Sequence, residues 1–116
     1  MGPAWDRRIS ASVSNCGCIP YRESFTRDTG FQAEFVVPGF ASNHDIDEVI
    51  ALADQCQYLI MAADDDRWSR GADWLTDRLS SQSTHAQVEI RPGGHEFPPA
   101  ARDRAYAFLI AQLQAV

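Results

Sequence analysis

A small three-layer α/β unit, with about three parallel strands between two helical layers, is the fold class predicted for this 116-residue chain. Three observations predict it. Strand-like and helix-like segments alternate along the sequence, the run Tyr58–Ala63 is apolar on both faces, and the last two strand-like runs end in polar turns before a helical period. Parallel strands need helical crossovers, so the alternation implies right-handed strand–helix–strand units. The length suits one compact domain.

Each element has a local reason. Arg8–Ser14 alternates, with Ile9, Ala11 and Val13 on one face, and reads as an edge strand closing the segment 1–14. Residues 15–44 are rich in Gly, Pro, aromatic and charged side chains and read as a long irregular, cap-like excursion, with short local structure around Phe35–Val37. Residues 45–116 read as helix, strand, helix, strand, helix. Asp45 and Glu48 have capping-box spacing ahead of Ile46, Val49, Ile50 and Ala53, a helix of about three turns by its apolar period. Tyr58–Ala63 is the central strand. Ser69 is placed to cap a helix that turns Ala72, Leu75 and Leu79 inward. Val88 and Ile90 mark a short strand ending at Pro92-Gly93-Gly94. Pro98-Pro99 then opens a final helix whose buried stripe is Ala101, Ala105, Phe108, Leu109 and Gln112/Leu113. Trp5, Trp68 and Trp74 each adjoin an apolar element and read as packing anchors.

Composition removes several functions. The net charge is −6, and all ten cationic residues are Arg, with no basic stripe, which argues against nucleic-acid binding. The longest apolar run, Tyr58–Ala63, is far short of the about 20 residues a membrane helix needs, and no leader is apparent before Trp5-Asp6-Arg7-Arg8. Three cysteines cannot all pair within one chain, and Cys16-Gly17-Cys18 is too tight a loop to bridge, so a reducing, cytoplasmic setting is expected. His44, His85 and His95 share no metal-ligand spacing with the cysteines, so no metal or cofactor is expected. His44 suits the turn before Asp45, and His85 the approach to a strand. Cys16 and Cys18 read as buried or half-buried small residues rather than nucleophiles, because no helix with an elbow signature follows.

In open α/β sheets ligands bind beyond the carboxyl ends of the strands. Asp64-Asp65-Asp66 follows one strand end here, and Gly93-Gly94-His95 follows another. Neighbouring strands would bring a carboxylate to one imidazole nitrogen and leave the other nitrogen as a base, two of the three groups of a nucleophilic triad. The plain alternatives are a solvated acidic turn, with three like charges relieved by solvent, Arg67 or His95, and a histidine that only ends a turn.

The segments Leu59–Trp68 and Arg91–Phe97 resemble the acid and histidine segments of α/β hydrolases, closest to the dienelactone hydrolase-like and acyl-esterase branch. The resemblance covers nearly the whole chain and makes it equivalent to the carboxyl-terminal half of that fold. It implies that Ile9–Ser14, Tyr58–Ala63 and Val88–Ile90 correspond to the sixth, seventh and eighth strands. It assigns the acid to Asp66, three residues after the small Ala63, with Asp65 as the alternative, and the base to His95. The departure is equally informative. None of the seven glycines brackets a Ser or Cys as the nucleophile elbow G-x-S-x-G requires, and the segment supplying oxyanion donors is missing too.

The expectation is therefore a truncated, hydrolase-derived protein, the product of a truncated or mobile reading frame, not catalytic as an isolated chain. The first alternative is the carboxyl-terminal part of an ester or lactone hydrolase, contributing Asp66 and His95 to a Ser-His-Asp triad completed by another chain. The second is a small-ligand binding module. A homodimer is expected through the exposed Ile9–Ser14 edge or the Phe-rich excursion (Phe25, Phe31, Phe35, Phe40), since an unpaired strand edge is a template for another chain.

Overall fold

The three strands form one parallel sheet in the order β1-β2-β3, where β1 is Ala11–Asn15, β2 is Gln57–Ala63 and β3 is Ala86–Arg91. The fold is taken from a computed structural model that describes residues 2–26, 36–82 and 85–115, apart from the side chains of Phe25 and Thr26. Helices complete the unit: α1 (Gly2–Trp5), α2 (Tyr21–Thr26), α3 (Ile46–Leu52), α4 (Ala72–Gln82) and α5 (Pro99–Gln114). Among the described residues, no helix is long and apolar enough to cross a membrane.

Register divides the side chains between two faces, because partners in a parallel ladder point the same way. Val13 pairs with Leu59, and Asn15 with Met61. On that face Leu59 and Met61 meet Ala101, Ala105 and Phe108 of α5, with Val13 and Leu109 at the margin. On the other face Tyr58 and Ile60 pack with Ile50, Leu75 and Leu79 from α3 and α4. This is the predicted α/β layering, and β2 runs through its centre with Tyr58–Ala63 all buried.

Several local expectations are corrected. The first strand begins at Ala11, and Ile9 packs with the α3–α4 cluster, opposite the face of Val13. The segment 15–44 is not wholly irregular, since it holds α2 and a short 3₁₀ turn at Phe40–Ser42. Phe31 and Phe35 lie outside the described residues, as does the side chain of Phe25; Phe40 stacks between Tyr21 and His44, with ring centroids 5.3 and 5.5 Å away.

Asp45 does cap α3, but its carboxylate also accepts the backbone N–H groups of Tyr21 and Arg22, tying α2 to α3. The helix stops after seven residues because Ala53 leaves helical geometry and bonds back to Ile50. Ser69 does not cap α4. It lies buried in the 3₁₀ turn Arg67–Ser69, and α4 starts after Gly71, whose φ of 81° and close approach to Pro20 and Glu23 exclude a side chain. Trp5 is 93% exposed and anchors nothing, and Leu113 is also outside the core. Trp74 is half-buried, with Arg22 over its ring at 4.8 Å and Arg78 at 5.8 Å.

Candidate functional site

All three strands point their carboxyl ends to the same edge of the sheet, and each delivers one functional group there. From β2 comes Asp66. Its Oδ1 accepts the Trp68 N–H at 3.0 Å, its Oδ2 accepts the Ser69 hydroxyl at 2.7 Å, and that hydroxyl in turn accepts the Ala63 N–H at 3.1 Å. The carboxylate is thus locked to the strand it follows.

From β3 comes His95, whose Nδ1 lies 3.1 Å from Asp66 Oδ1. The loop that carries it is tied on both sides. Gly93, with φ of 115°, donates its N–H to Asp64 Oδ1 at 3.0 Å, while the Asp65 N–H donates to the Gly93 carbonyl at 3.0 Å. The Arg91 guanidinium donates to the carbonyls of Gly94 and Glu96, and the Asn15 amide donates to the same Glu96 carbonyl at 3.0 Å.

Asymmetric burial gives the pair its character. The Asp66 side chain is 1% exposed and that of His95 is 58% exposed. Burial alone would raise the Asp66 carboxyl, but donors from Ser69, Trp68, His95 and Cys16 together outweigh it and hold the group below the ordinary carboxylate range. An ionised carboxylate only accepts, so a neutral His95 carries its proton on Nδ1 and leaves Nε2 with a lone pair. Of the two acids weighed, Asp66 meets His95. Asp65 is exposed and serves the loop through its backbone.

The third group is Cys16, at the end of β1. It is 3% exposed and has φ of 53°, the one non-glycine positive φ among the described residues. That left-handed turn tucks the thiol inward: Sγ lies 3.9 Å from the Glu96 carbonyl and 3.7 Å from an Arg91 nitrogen, which donates to it. Donor atoms of Cys16, Asp66 and His95 all lie within 4.8 Å of one another. A nucleophile relay would set the imidazole between acid and thiol, separating them by about 7 Å for two hydrogen bonds and the ring. The thiol therefore sits beside the acid–histidine pair, not beyond it.

Sequence reasoning missed Asn15 and Arg91 as parts of this site. Cys16 is buried as expected, but the sequence reading sets it aside for want of an elbow signature, although it follows the end of β1 as Asp66 and His95 follow β2 and β3. Cys18 does behave as a half-buried residue, its thiol pushed up to about 11, chiefly by burial. His44, in the turn before α3, meets Glu48 of the helix's first turn, and His85 precedes β3 with Nε2 3.2 Å from the Ile50 carbonyl. A cavity of about 560 Å³ opens beside the pair, lined by Cys16, Cys18, Tyr21, Ile50, Trp68 and His95 among others.

Fold and site together define a small α/β unit with a carboxylate–imidazole pair at the carboxyl edge of its sheet. No protein-family model matches the chain, and no curated protein matches it, so the reading of the site rests on its own geometry.

Proposed function

We propose that this chain is the acid–base half of a hydrolase-type acyl-transfer centre, with the α/β-hydrolase ancestry that its acid and histidine segments resemble. The observation that carries the reading is the 3.1 Å contact between buried Asp66 and exposed His95. Asp66 orients the ring and stabilises the imidazolium that forms. Nε2 takes the proton of an attacking hydroxyl or thiol and later returns it to the leaving alcohol. Among the described residues no hydroxyl or thiol bonds to Nε2, and Cys16 lies on the wrong side of the ring. On this reading the nucleophile comes from another polypeptide, and the chain alone is catalytically silent. The edge of β1, unpaired among the described residues, is the natural place for a partner strand, either from such a half or from a second copy.

The test is rescue with a small nucleophile. Alone, the protein is expected to hydrolyse a short activated ester no faster than a comparable histidine-bearing protein. With a small thiol or alcohol added, it should accelerate transfer to that nucleophile, and His95→Ala should abolish the effect. Robust turnover without the additive, lost on substituting one Ser or Cys, would contradict the reading; so would rescue that survives His95→Ala. A small-ligand binding module is the second reading, favoured by the cavity beside the pair.

A further inference from the structure

Three strand ends bring a thiol, a carboxylate and an imidazole to one point, from positions 16, 66 and 95. The acid–base reading uses only two of them and leaves the buried Cys16 without a task. We propose that Cys16 Sγ, His95 Nδ1 and a carboxylate oxygen of Asp66 form a mononuclear site for a borderline-soft divalent transition-metal ion of the zinc type, with a fourth position open to solvent.

Donor chemistry selects the ion. Thiolate and imidazole suit zinc or cobalt, whereas calcium and magnesium require oxygen ligands. Size agrees as well. Tetrahedral zinc, at about 2.3 Å from sulfur and about 2.0–2.2 Å from nitrogen and oxygen, sets its donors about 3.3–3.6 Å apart. Asp66 and His95 already stand 3.1 Å apart, and every separation in the trio is within 4.8 Å. Closing the rest takes about 1 Å, within reach of a side-chain turn at the exposed His95.

The surroundings resemble an outer shell of ligand support. The Ser69 hydroxyl and the Trp68 N–H orient the Asp66 carboxylate, and an Arg91 guanidinium nitrogen donates to the Cys16 sulfur at 3.7 Å. Cys16 and Asp66 are buried and rooted at the ends of paired strands, so two ligands are set before the ion arrives. Charge balances: thiolate and carboxylate neutralise the dication. Binding to the form with a thiol and a neutral ring replaces the S–H proton by the metal and moves the imidazole proton from Nδ1 to Nε2, with one proton released per ion. The ion takes the nitrogen that Asp66 holds in the acid–base pair, so the metal-bound and acid–base forms exclude each other. The site does not rest on the acyl-transfer reading.

Titration of chelator-treated protein with Co²⁺ tests this directly. The expected result is one ion bound per chain with one proton released on Co²⁺ binding, a near-ultraviolet thiolate-to-cobalt charge-transfer band with tetrahedral visible bands, and displacement by Zn²⁺ with no further proton release. Cys16→Ser should remove the charge-transfer band, and His95→Ala should weaken affinity by about 100-fold or more. Cys18→Ser and Cys56→Ser should keep the band. If Cys16→Ser fails to fold by circular dichroism, His95→Ala, at an exposed position, decides. No band in the unaltered protein, a band undiminished by both Cys16→Ser and His95→Ala, or one abolished by Cys18→Ser overturns the site.

Discussion

Strands β1 and β2 lie side by side in one sheet and are built in opposite ways. From Tyr58 to Ala63, β2 is buried throughout and paired on both edges, and it offers apolar side chains to both faces. Every residue of β1 is half-buried, pairing reaches it from one side only among the described residues, and one of its faces carries Ser12 and Ser14 toward the cavity. The contrast separates framework from unfinished surface. Stability is concentrated where β2 meets α4 and α5, and the capacity to accept a ligand or a partner lies along β1 and its carboxyl end.

The framework should break first. Leu75 of α4 is 0% exposed, packed in the cluster under Tyr58 and Ile60, so Leu75→Ala should cost about 2–5 kcal/mol. Val13→Ala on half-buried β1 should cost less than about 2 kcal/mol. Denaturant midpoints of the two variants measure the difference directly, and equal losses would erase the distinction between the strands.

The site should register next, between those two effects. Asp66→Asn removes the charge and turns one of the two oxygens that serve Ser69, Trp68 and His95 into a donor, and should destabilise by about 1–3 kcal/mol. Its pH dependence has a definite sign. The folded carboxyl is depressed, so its contribution is fully present above the unfolded value of about 3.9 and fades as pH falls through the lower folded value. Unfolding followed from pH 7 to pH 2 should therefore steepen below about pH 4 in the unaltered protein and flatten there in Asp66→Asn.

The smallest effect on stability, and the sharpest on association, belongs to the β1 edge. The Cys16 N–H and the Ser10 carbonyl bond to β2, so by alternation the N–H groups of Ala11, Val13 and Asn15 point outward. Ala11→Pro, at the first position of the strand, removes one outward donor and no ladder bond to β2. Sedimentation should show a dimer of the unaltered chain at micromolar concentration and a monomer of Ala11→Pro with a near-unchanged melting point. A monomeric unaltered chain would refute pairing through this edge.

What was legible in the sequence follows the same division. An unbroken apolar run marked β2, and local periodicity marked β3 and the faces of α4 and α5, because burial on a helix or strand repeats at short range. Asp66 and His95 were legible because both follow strand ends and sit in segments that resemble a known family. Asn15 and Arg91 were not, and Cys16 was set aside, since the bonds that join the end of β1 to the His95 loop cross between separate strands, as with Asn15 reaching Glu96 across 81 residues and Arg91 reaching the Cys16 sulfur across 75. Ser69 was misread for a different reason. Its position before a helical period suits a cap, but only the fold shows its hydroxyl buried between Asp66 and Ala63. Trp5 looked like an anchor by its neighbours alone, and one exposed turn put it outside the core.

The central claim is that Asp66 holds the proton of His95 on Nδ1 and keeps Nε2 available as a base. Imidazole ¹⁵N NMR of chelator-treated protein, at a pH where the ring is neutral, reads this state directly. The account predicts a protonated Nδ1 and a bare Nε2 in the unaltered chain, with Asp66→Asn shifting the ring to mixed or reversed tautomers. A bare Nδ1 in the unaltered chain, or a tautomer unchanged by Asp66→Asn, would contradict it.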